Sequence, residues 1–81
     1  MFQYKTQGTC STGIEIDAKD GVIERVAFTR GCNGNLTGIS KLVVGMNVDE
    51  AIAKLSGIRC GDKPTSCPDQ LARALMQMKR A

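Results

Sequence analysis

The sequence predicts an α+β fold: a three-stranded antiparallel sheet followed by about three helices packed on one sheet face. Two observations predict it. Apolar and polar residues alternate through the first third of the chain, and apolar residues recur at three- and four-residue spacing through the rest. Strands first and helices after is the order of an α+β domain rather than of a βαβ repeat. A length of 81 residues allows one domain, spanning 1–81.

The first strand is read over Phe2 to Thr6, with Phe2 and Tyr4 on one face. The second covers Ile14 to Ala18. The third covers Val22 to Phe28, with Val22, Val26 and Phe28 on a shared face. Asp20-Gly21 between the last two supplies the positive φ angles of a tight hairpin. Leu36, Ile39, Leu42 and Val43 then form the apolar side of a first helix, closed by Gly45. Asn47 opens a second helix as its cap, with Glu50 reaching back; Ala51, Ile52 and Leu55 are its apolar side, and Gly57 ends it. The third helix starts near Ser66. Pro68 and Asp69 suit its first turn, Leu71, Ala74, Leu75 and Met78 form its buried stripe, and Lys79 and Arg80 fall in the last turn.

Composition narrows the function classes. Hydrophobic residues make up 42% and charged residues 23%, the mix of a folded domain and not of a disordered tail. The aromatics are Phe2, Tyr4 and Phe28, so the core is aliphatic and thin for its size. Such domains use a staple: a metal, a disulfide or a partner subunit. With a net charge of +3, no run of five like charges and no interleaved aromatics, nucleic-acid binding is not expected. No segment approaches the roughly 18 apolar residues of a membrane span. Met1 to Lys5 lacks the apolar core of a signal peptide. A cytoplasmic protein is expected, where thiols stay reduced and metal ligation or redox chemistry is favoured over stable disulfides.

The chemistry falls to four cysteines: Cys10, Cys32, Cys60 and Cys67. Histidine is absent, so a metal site must rely on thiolates, carboxylates or the main chain. No CxxC pair occurs, which excludes a zinc ribbon and a thioredoxin-type motif. All four cysteines lie at loops or element ends, where a scaffold presents functional groups. Cys10 falls between the first two strands, and Cys32 between the third strand and the first helix. Cys60 falls between helices, and Cys67 opens the last helix. Cys32 and Cys67 sit at helix N-termini, whose partial positive charge favours a thiolate. Glycines beside Cys10, Cys32 and Cys60 let the backbone approach a bulky centre. Four thiolates at one tetrahedral centre suit zinc or iron. Small buried cysteines, two disulfides, and a redox dithiol of Cys60 with Cys67 are the competing accounts. Asp62, Asp69 and Glu50 are candidate carboxylates near such a centre, although helix capping accounts for Asp69 and Glu50.

Thr65-Ser66-Cys67-Pro68-Asp69 resembles the signature of the TSCPD domain family. Phe28-x-x-Gly31-Cys32-x-Gly34-Asn35, Gly38-Ile39, Leu42-Val43, Gly45, Gly57-Ile58-x-Cys60-Gly61 and Gln70-Leu71-Ala72 extend the resemblance over nearly the whole chain. Members of that family occur as short stand-alone proteins and as a tail on some ribonucleotide reductases, particularly cobalamin-dependent ones. The resemblance implies a metal-binding or thiol role near that pathway, with a ribonucleotide reductase or a redox protein as partner. A reductase active site does not fit in a chain this short, so any such activity needs the partner.

A more distant resemblance is to U-type iron–sulfur scaffolds of the NifU/IscU kind, whose three cysteine positions match Cys10, Cys32 and Cys67. The chain departs from them at Thr12, where the scaffold has Asp, and at Ser66, where it has His; Cys60 is an addition. A closed four-thiolate site suits structural zinc or an electron-carrying iron–sulfur centre. The alternatives are a divergent cluster scaffold or carrier and a thiol–disulfide oxidoreductase. A homodimer is a further expectation for so small a core.

Overall fold

The computed structural model describes residues 2–6, 11–30, 33–59, 61 and 65–80. In chain order the elements are β1 (Phe2–Lys5), β2 (Gly13–Lys19), β3 (Val22–Thr29), α1 (Asn33–Val43), α2 (Val48–Leu55) and α3 (Cys67–Arg80). The sheet is antiparallel in the order β1-β2-β3. Asp20 (φ 55°) and Gly21 (φ 79°) join β2 to β3, both left-handed, as a two-residue turn between twisted strands requires. The predicted fold class is the observed one.

β3 departs from its predicted face. The register runs through Ile14↔Phe28, Ile16↔Val26 and Asp17↔Arg25, then shifts so that Ala18 pairs with Ile23. Glu24 is the extra residue of a bulge, and one extra residue reverses every side chain beyond it. Val26 and Phe28 therefore face inward as predicted, but Val22 is 38% exposed and Ile23, at 1%, takes its place in the core.

α1 shows a second correction. Leu36 and Val43 are buried and Ile39 packs partly against the core, whereas Leu42 is 76% exposed. Successive helical residues lie about 100° apart, so Leu42 cannot share the line of Val43. Gly45 ends the segment at φ 88°. The chain then runs along the outer edge of β3: Gly45 N–H donates to the Ile23 carbonyl at 2.8 Å, and Ile23 N–H donates to the Met46 carbonyl at 2.9 Å.

Asn47 caps α2, its side chain accepting the Asp49 N–H at 2.9 Å. Glu50 does not close the predicted box; it lies 3.4 Å from Lys54, one turn along the same helix. Asn47→Ala is expected to lower stability by about 1 kcal/mol, the usual cost of losing a helix cap, as read from the midpoint of urea unfolding.

α3 is the centre of the molecule. Leu71, Ala74 and Leu75 are buried as predicted, with Met78 partly so, and Gln70 and Ala72 are buried beside them. Its first two turns are thus enclosed on nearly all sides by β1, β2 and α2. Ala72 lets neighbours approach closely where a longer side chain would hold them off. At the far end Lys79 pairs with Asp49 in the first turn of α2. Ile14, Ile16, Ile23, Val48 and Ala51 complete the core between sheet and helices. Among the described residues no helix is long and apolar enough to cross a membrane.

Candidate functional site at the start of α3

Antiparallel strands and helices bring four separate segments to one end of the molecule. These are the β1–β2 connection, the exit of β3, the α2–α3 connection and the first turn of α3. Hydrogen bonds tie the described parts together. Thr12 N–H donates to the Thr29 carbonyl at 2.8 Å, linking the β1–β2 connection to the exit of β3. The Thr6 hydroxyl donates to the Ser11 carbonyl and holds the same connection closed. Ser11 Oγ lies 3.3 Å from Cys67 Sγ, across 56 positions of sequence. The Ser66 hydroxyl donates to the Ile58 carbonyl at 2.6 Å and draws in the segment that follows α2.

Cys67 is the first residue of α3 and is 8% exposed. Its place at a helix start is the one predicted. Cys10, Cys32 and Cys60 lie outside the described residues, and with them both the four-thiolate centre and the Cys60–Cys67 pair. Their described neighbours are Ser11 after Cys10, Asn33 after Cys32, and Arg59 and Gly61 on either side of Cys60. Among the described residues no three of His, Cys, Asp and Glu gather in a way that could hold a metal ion.

The helix starts near Ser66 as expected, and Ser66 caps it, its Oγ accepting the Asp69 N–H at 3.2 Å and its carbonyl accepting the Gln70 N–H at 2.8 Å. Asp69 does more than favour a helix dipole. One carboxylate oxygen accepts the Gly57 N–H at 2.7 Å; the other accepts the Thr65 hydroxyl and lies 3.1 Å from Arg73 Nε. Gln70 in turn donates to Thr65 Oγ1 at 3.0 Å. The carboxylate therefore fastens the end of α2 to the start of α3.

Burial alone would raise the Asp69 pKa. The Thr65 hydroxyl, the Gly57 amide and the Arg73 guanidinium together outweigh it and hold the carboxyl below its ordinary value. With its oxygens so engaged, Asp69 is a structural latch and not a spare metal ligand. Sequence reasoning missed the latch. Its local signal was a hydroxyl residue four positions before the acid, but the Gly57 partner is not visible in sequence.

No curated protein and no solved structure matches the chain. A family model described as the TSCPD domain matches residues 2–79, a span that includes all four cysteines and the Thr65–Asp69 latch. The chain belongs to the TSCPD domain family.

Proposed function

We propose that this chain is a small metal-binding module. In this reading the thiolates of Cys10, Cys32, Cys60 and Cys67 hold zinc or an iron–sulfur centre. The module serves ribonucleotide reduction, or thiol redox, as an accessory to a partner enzyme. The observation that carries this reading is the hydrogen-bonded convergence of the segments flanking the four cysteines: Thr12 with Thr29, Ser11 with Cys67, and Ser66 with Ile58.

The donor set is consistent with it. The chain has no histidine, and Asp69 is committed to Gly57, Thr65 and Arg73. Sulfur is the donor type that the four cysteines supply, and sulfur suits zinc and iron. When bound, zinc would cross-link loops around a thin core, whereas an iron–sulfur centre would carry an electron. The chain's own residues supply the frame. Ser66 and Asp69 fix the first turn of α3, and Ser11 sets a hydroxyl beside the Cys67 sulfur.

Elemental analysis of protein purified without air tests the proposal. The expected result is a stoichiometric metal whose content collapses in Cys67→Ser and whose removal by a chelator lowers Tm. Visible charge-transfer bands would identify iron–sulfur, and a colourless zinc protein would reject it. Bands that move to an apo acceptor would favour the scaffold alternative. Four readily titrated thiols, with no metal taken up on anaerobic reconstitution, would end the metal reading.

A further inference from the structure

β3 is an edge strand, and the described residues cover only part of its outer edge. Beside Ile23 the segment after α1 supplies the cover, through Gly45 and Met46, with Asn47 bridged to Val22. The Glu24 bulge then intervenes. Beyond it, strand alternation turns the main-chain N–H and C=O of Val26 and Phe28 to that same outer side. No main-chain partner meets them there among the described residues. An unpaired strand edge is a template for another strand.

That stretch opens into a groove of about 390 Å³ between β3 and α1. The half-exposed Val44, just past α1, and the largely buried Leu36 line it with apolar surface. Its charges are uneven. Arg25 is held by Glu15 and Asp17, at 3.6 and 3.3 Å. Arg30, just past the end of β3, and Lys41, in the last turn of α1, are exposed and have no ion-pair partner among the described residues. Glu24 is the single carboxylate among the described lining residues.

We propose that this groove docks an extended acidic segment of a partner protein, which adds to β3 as a fourth strand. Main-chain bonds to Val26 and Phe28 supply affinity, and alternate side chains supply specificity. Apolar residues of the segment face Leu36 and Val44, and its carboxylates meet Arg30 and Lys41. Charge selects this occupant over a second copy, which would bring its own Arg30 and Lys41 and a net charge of +3 to the same place.

The test uses the full chain and a fluorescent eight-residue peptide in which Val alternates with Asp or Glu, followed by anisotropy at low salt. The expected result is saturable binding that weakens at least tenfold in the Arg30→Glu/Lys41→Glu double variant. Amide hydrogen exchange at Val26 and Phe28 should slow when peptide is added. Both substituted positions are exposed, and circular dichroism checks that the fold persists. The proposal is overturned by any of three results: no saturable binding, equal binding to the double variant, or equal binding of a peptide with Lys in place of the acids. Self-association that already protects the Val26 and Phe28 amides would overturn it too, in favour of a second copy.

Discussion

Asp69→Ala is expected to destabilise the protein by about 2–4 kcal/mol, more than any exposed charge in the chain. Asp69 is 4% exposed, and its loss strands the buried Thr65 hydroxyl and releases the tie to the Gly57 amide at the exposed end of α2. Arg73 contributes less, because its side chain is half exposed and water screens the pair. Arg73→Ala should therefore cost no more than about 1 kcal/mol. Asp69→Asn keeps the shape and one acceptor for Gly57, and should fall between the two.

The depressed Asp69 pKa gives this prediction a pH signature. A group whose folded-state pKa lies below its unfolded value, about 3.9 for Asp, stabilises the fold fully above that unfolded value. The contribution fades as pH falls through the folded-state value. The stability gap between wild type and Asp69→Asn should accordingly be flat at neutral pH and narrow in acid, as measured by urea unfolding across the pH range. A gap that widens in acid would show that the latch is not ionised.

Leu71→Ala is expected to cost about 2–5 kcal/mol, through lost burial and the cavity left behind. Leu71 is fully buried on α3, between the sheet and α2. For a chain of this size each kcal/mol is worth roughly 4–8 °C in Tm, so the variant should melt far below wild type or fail to fold. Leu42→Ala is the control. The same atoms are removed from a largely exposed side chain, and the change should stay within about 0.5 kcal/mol. Thermal unfolding of the pair checks both values.

The contrast between those leucines shows what sequence could and could not convey. The stripe of α3 was legible because Leu71, Ala74, Leu75 and Met78 fit a helical line and both its ends carry helix signals. Leu42 misled because it lies next in sequence to Val43, while burial follows angle around the axis. The hairpin at Asp20-Gly21 was legible from two residues. The bulge at Glu24 was not, since period-two reading assumes an unbroken strand, and so Val22 was placed where Ile23 belongs.

At the candidate site the local features could be read: a helix start near Ser66, with Cys67 at its opening. Pairings across the chain could not. The approach of Ser11 to Cys67 and of Asp69 to Gly57 depends on tertiary packing, which leaves no periodic trace in sequence.

The central place of α3 bears on how the protein is made. Ile14, Ile16 and Ile23 leave the ribosome well before Leu71 and Leu75, which cover them. A growing polypeptide therefore carries a bare aliphatic surface until α3 is made. Chains at that stage are open to sticking to one another or to being held by chaperones, until α3 arrives and covers the sheet.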